Sequence, residues 1–187
     1  MYIKKVMIII YEKNGGKYIM DKKISNIDLN ALIDMKCLSK EEADYLAKSM
    51  RENKNIIITG RIGVGKTTLL NSLLDYQDDV NITAFERVKE LNLSKFTVPN
   101  NSKNSRLIIS EIQNSDDGLR LLSALNMGSS VLGTIYSKGN WHKYFLDLFS
   151  GNMKKYAEET LNKNKFIQVN ISINSDGKRI VDKIQEV

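Results

Sequence analysis

The apolar positions open with a β-rich run at residues 5–11, the turn residues Asn14-Gly15-Gly16 and a second short run at residues 17–20, a pattern that predicts a hairpin. Ile27, Leu29, Leu32 and Ile33 then recur at helical spacing. Ser39-Lys40-Glu41-Glu42 has the form of a capping box, in which Ser39 and Glu42 satisfy each other's orphan backbone donors, so a helix through Met50 should follow with Ala43, Leu46 and Ala47 inward. Beyond it, short apolar runs alternate with amphipathic stretches. Strands are predicted at residues 56–59, 81–85, 107–110 and 131–135, and helices from Lys66 and from Ser115, the second with Leu119, Leu122 and Leu125 on one face and an end near Gly128. Residues 166–173 and 179–184 flank Ser175-Asp176-Gly177, a turn signal that predicts a closing antiparallel hairpin. The polar stretch 99–105 reads as a loop. The expected fold is α/β, a mostly parallel sheet flanked by helices and ending in that hairpin, with residues 1–24 as a hairpin appendage and residues 25–187 as the domain.

Composition narrows the class. The chain has 187 residues, 42% apolar and 27% charged with one proline, which suits a single folded domain and excludes a disordered or collagen-like chain. One cysteine, Cys37, excludes an intramolecular disulfide, and with one histidine, His142, no Cys/His zinc cluster can be built. The early apolar run at residues 6–11 is far short of the ~20 residues of a membrane span, so a cytoplasmic protein is expected, without direct insertion into a membrane. The net charge of +6 suits phosphate ligands or acidic partners and does not indicate nucleic-acid binding.

The sharpest chemical signal is Gly60-Arg61-Ile62-Gly63-Val64-Gly65-Lys66-Thr67, followed by Thr68, which fits GxxxxGK[ST] between an apolar strand and a helical stretch. Glycines let successive backbone N–H groups converge on the α- and β-phosphates of a nucleotide, and the helix adds its positive end. Lys66 would reach the β- and γ-phosphates and the Thr67 hydroxyl would ligate Mg²⁺. A hydrolase also needs a carboxylate at a neighbouring strand tip, and the run Leu107-Ile108-Ile109-Ser110 leads into Glu111. Glu86, closing Ile82-Thr83-Ala84-Phe85, reads by itself as a surface charge. His142 beside Trp141 is expected to open a helix containing Phe145, Leu146 and Leu148 and to pack or face solvent. Cys37 reads as a small side chain at least partly buried, and Lys154-Lys155-Tyr156 as a solvated helix face.

Taken in order, these motifs resemble the ATPase domain of the type II/type IV secretion superfamily, in particular the CpaF-like and conjugative traffic ATPases. ITAFERVKEL at residues 82–91 resembles that family's acidic "Asp box", RLIISEIQ at 106–113 its Walker B strand, and LLSALNMGSSVLGTIYS at 121–137 the stretch leading into its "His box". The resemblance extends over residues 20–187, a short form lacking most of the N-terminal domain. It implies a RecA-like P-loop fold and ATP with Mg²⁺ as cofactors. It also implies a homo-oligomer of hexameric type, working at the inner face of the membrane with secretion, pilus-assembly or conjugation machinery. By carry-over Lys66, Glu86 and Glu111 are the catalytic set, with Glu86 activating water. Thr67 and Glu111 hold the metal, and Glu90 is a second acidic position.

The chain departs from the pattern at Arg87, where the family has aspartate, at Gln113, where it has arginine, and at Tyr136, where it has histidine. The segment between Leu91 and Arg106 is also short of the family's arginines. Phosphate binding should survive these changes, while stabilisation of a transition state is exposed to them. The leading expectation is therefore an ATP-hydrolysing motor subunit. A nucleotide-binding regulatory module with decayed hydrolysis stands as the alternative, and a kinase-like phosphotransferase, for which no acceptor site or lid is evident, comes after both.

Overall fold

The computed structural model describes residues 27–78, 80–87, 90, 91, 93, 104–137 and 139–187, with residues 7–10 as backbone alone. Seven strands form one sheet in the order β1-β3-β4-β5-β2-β6-β7. They are β1 (Met7–Ile10), β2 (Asn55–Gly60), β3 (Asn81–Glu86), β4 (Ser105–Ile112), β5 (Ser130–Tyr136), β6 (Phe166–Ile173) and β7 (Arg179–Glu186). Every pairing is parallel except β6 with β7, so the expected parallel sheet with an antiparallel close is what the chain builds. β1 joins the edge beside β3, with Ile10 opposite Glu86. The run at residues 17–20 and its turn lie outside the described residues, as do residues 99–103 of the expected loop; Ser105 already belongs to β4.

The helices are α1 (Leu29–Asp34), α2 (Lys40–Arg51), α3 (Lys66–Leu74), α4 (Ser115–Asn126), α5 (Trp141–Leu146) and α6 (Gly151–Asn162). They cover both faces, because alternate residues of the central strands are buried in opposite directions. Ile56, Ile58, Ile108, Leu132 and Val169 join the core beneath α1, α2 and α3. Ile57, Leu107, Ile109, Val131 and Phe166 join the core beneath α4, α5 and α6. The capping box opens α2 as its sequence predicts, with the Ser39 hydroxyl accepting from the Glu42 N–H and the Glu42 carboxylate from the Ser39 N–H. One inward position is corrected: Leu119 is exposed, and Leu121 packs inside with Leu122 and Leu125. Helix α4 begins with a second capping box, Asn114 with Asp117, and the stripe inside that start falls two residues further on.

Among the described residues Arg106 is the largest buried charged side chain, only 1% exposed. From β4 it donates to the Met50 and Lys54 carbonyls at 3.5 and 3.2 Å and to the Met50 sulfur at 3.3 Å, holding the C-terminal end of α2. Burial pushes its guanidinium down to about 9, still above neutral pH, so it acts as a cation at the negative end of a helix. Replacement by alanine leaves a cavity and removes the donor to the Lys54 carbonyl, and should cost about 2–4 kcal/mol in urea unfolding. Arg106→Met fills the space and should cost less than half as much.

Candidate nucleotide-binding site

β2 is central and buried from Ile56 onward, so its C-terminal end is a fixed platform for the loop that follows. Gly60, Gly63 and Gly65 adopt φ of +147°, +80° and +99°, conformations that side chains resist. Gly60 is also sterically obligatory, since a Cβ there would overlap the Ile171 carbonyl oxygen of β6 and meet the Val64 side chain at 2.9 Å. Gly65 is the N-cap of α3, and no side chain takes the N–H groups of that first turn. Within the loop Val64 is buried, Thr67 and Thr68 are half-buried, and Arg61 and Ile62 are exposed, Ile62 to 82%.

Lys66 is the unusual member, an ammonium only 6% exposed. Its Nζ donates to the Arg61 carbonyl at 3.0 Å, curling back into its own loop. Burial holds it below the ordinary lysine range, and the nearby negative charge of Glu111 works against that shift. A buried cation with a single carbonyl acceptor, at the start of a helix whose N-cap makes no side-chain hydrogen bond, fits a polyphosphate.

The carboxylates reach the same edge of the sheet from β3 and β4, with β5 lying between β4 and β2. The pairing of β4 with β5 slips between Ile109 and Ile112, the stretch that carries Glu111. The Glu111 carboxylate accepts from the Gln113 amide. The Thr67 hydroxyl and the Glu111 carboxylate are both oxygen donors of the kind Mg²⁺ takes, the first in the opening turn of α3 and the second near the end of β4. Glu86 differs from its bare sequence reading as a surface charge. It is 6% exposed, and one of its oxygens accepts the N–H groups of Glu90 and Leu91, each at 2.9 Å. The chain after β3 folds over the strand end and takes the carboxylate with it, an arrangement that strand periodicity does not report.

The departures have defined partners. Arg87 donates to Asp117 at 2.7 Å and to the Glu111 carbonyl at 3.4 Å, bridging the ends of β3 and β4. The same Asp117 oxygen accepts the Gln113 N–H at 2.9 Å. Tyr136 meets Tyr144 of α5 edge to face, with ring centroids 5.6 Å apart. His142 packs against Trp141, 4.3 Å between centroids, and burial lowers its affinity for a proton. Two residues of this region were not singled out from the sequence: Asp117, which the capping-box spacing from Asn114 could have flagged, and Arg179, for which no local signal exists. Arg179 lies against Gly65, its Cδ 3.4 Å from where a Cβ would stand.

Neither a family model nor a curated sequence matches the chain. Solved structures do. The VirB11 ATPase of the Brucella suis type IV secretion system, in complex with sulphate, aligns with a TM-score of 0.59 at 12% identity, over 85% of this chain and 56% of that one. The chain shares its fold. The Legionella pneumophila ATPase DotB gives a TM-score of 0.54 at 19% identity, over 73% of this chain and 46% of that one. The pilus retraction motor PilT with bound ADP gives 0.51 at 17%, over 75% and 50%. The RecA-like architecture expected from the motifs is thus the one present, and the chain spans about half the length of these ATPases. No described helix is long and apolar enough to cross a membrane.

Proposed function

We propose that the chain binds ATP with Mg²⁺ at the loop of Gly60, Arg61, Ile62, Gly63, Val64, Gly65, Lys66, Thr67 and Thr68, and hydrolyses it as a subunit of a homo-oligomeric motor serving secretion, pilus or conjugation machinery. The observation that carries this reading is the buried Lys66 ammonium, held in a loop of left-handed glycines with one carbonyl for a partner. Lys66 would offset the charge of the β- and γ-phosphates, and Thr67 and Glu111 would hold the metal, which supplies charge neutralisation at the terminal phosphate. Glu86 would orient water once its carboxylate leaves the Glu90 and Leu91 N–H groups. VirB11, DotB and PilT support the motor reading through their shared fold, and the sulphate and ADP found with two of them support phosphate as the ligand chemistry. Work at the inner face of a membrane belongs to the same reading.

A second reading, a nucleotide-binding regulatory module that no longer hydrolyses, is favoured by the engagement of Glu86 in backbone hydrogen bonds and by the Arg87–Asp117 pair. Mg²⁺-dependent phosphate release across a range of protein concentrations separates the two. The motor reading expects turnover that rises with concentration and falls about 100-fold or more in Glu111→Gln. Tight ATP binding with no turnover at any concentration gives the regulatory module.

A further inference from the structure

Arg179 opens β7, and β7 lies on the opposite side of β2 from the strand that carries Glu111. Its backbone is well anchored. The Asn174 side chain accepts the Asp176 and Lys178 N–H groups at 3.0 and 2.9 Å, and the Val181 N–H donates to the Cys37 carbonyl at 2.6 Å. From this base the side chain reaches across the end of β6 onto the phosphate loop. A Cβ built on Gly65 would lie 3.4 Å from its Cδ and 4.0 Å from its Nε, so the absence of a side chain at Gly65 is what admits the arginine there. Arg179 is exposed, and among the described residues no carboxylate forms an ion pair with it. An exposed fork of donors therefore stands beside the open N-terminus of α3, where loop N–H groups would cradle the phosphates nearest the nucleoside.

We propose that Arg179 is a phosphate-binding residue supplied within the same chain, taking the α- and β-phosphates of a nucleotide from the β6–β7 side while Lys66 and Glu111 serve the terminal phosphate from the other. The inference rests on the nucleotide-binding reading and adds to it the closing hairpin as part of the site. Because Arg179 touches phosphates common to ADP and ATP, its contribution is the same for both nucleotides.

The test is equilibrium binding of ADP and of ATP, at a matched series of salt concentrations, to the parent chain, Arg179→Ala, Arg179→Lys and Lys66→Ala, with melting curves taken without nucleotide. Arg179→Ala should weaken both nucleotides alike, by about tenfold or more, while melting as the parent does. Arg179→Lys should recover part of the loss, and the slope of log affinity against log salt should be shallower in Arg179→Ala. Unchanged ADP binding in Arg179→Ala, with binding lost in Lys66→Ala, overturns this inference and leaves the loop reading standing. Loss confined to ATP overturns it too, since the guanidinium would then serve the terminal phosphate. A parent chain that binds neither nucleotide, or a Lys66→Ala that binds as the parent does, overturns the loop reading itself.

Discussion

Lys66→Met should weaken nucleotide binding by about 100-fold or more and leave the fold at least nearly as stable as before, a combination expected only if the buried ammonium serves a ligand. In the free protein this cation is 6% exposed with one carbonyl acceptor, and burial holds its pKa down. Taking it out of water is costly, and one hydrogen bond with the more distant Glu111 charge offsets only part of that cost. Methionine fills similar space without a charge, so unfolding free energy should change by no more than about 1 kcal/mol, or rise. Binding behaves in the opposite sense. Charge-assisted hydrogen bonds to two phosphates are worth about 1.5–3 kcal/mol each, so affinity should fall by about 100-fold or more. Nucleotide at 100 times the parent's Kd should add about 2.7 kcal/mol to the parent's stability and no more than about 0.4 kcal/mol to the variant's.

The same lysine predicts a pH dependence. Its folded pKa lies below the ordinary 10.5, so between the two values the unfolded chain binds the proton that the folded chain has released. Stability should therefore rise as pH increases through that alkaline window, and affinity for nucleotide should fall over it, because the neutral amine no longer attracts phosphate. Lys66→Met should show neither trend. Unfolding of Lys66→Met at ordinary temperatures would mean that the lysine holds the loop together and is not a ligand group.

Gly60→Ala should destabilise the chain by about 3–5 kcal/mol, the sum of a strained backbone and an overlap that nothing soft can relieve. The added Cβ meets the Ile171 carbonyl oxygen, part of the β6 backbone paired with β2 at that register position, and φ is +147°. Relief requires moving β6 away from β2 at the mouth of the loop. Gly63→Ala is the internal control. Nothing lies within 4 Å of its Cβ, and only its φ of +80° is unfavourable, so it should cost about 1–2 kcal/mol. Denaturant midpoints with a common slope would read both directly. Equal losses at the two glycines would mean that β6 yields to the added Cβ and that the contact with Ile171 does not hold the loop on the sheet. Should Gly60→Ala fail to fold, its loss from the soluble fraction beside a normal yield of Gly63→Ala carries the same result.

The sequence by itself determined whatever depends on a residue's own position relative to water or to its near neighbours. The loop between β2 and α3, the Ser39 capping box, the starts of α3 and α4 and the closing hairpin all stand where local patterns put them. A period of 2 or 3.6 reports burial on one face, and a glycine pattern reports a turn, without knowledge of distant partners. The tertiary structure alone decided the insertion of β5 between β4 and β2, and with it the distance at which Glu111 stands from the loop. It also decided that Glu86 is buried under the chain that follows it, that Arg87 is tied to Asp117, and that Arg179 reaches Gly65 from across β6. Arg106 is the same case in the core, a charge that no apolar pattern would place inside and that is accepted by the Met50 carbonyl near the end of α2 and the Lys54 carbonyl beyond it. Each of these is a pairing between groups far apart in the chain or on different elements. Charge and hydrogen-bond partners are set by strand order and register, which local periodicity does not encode.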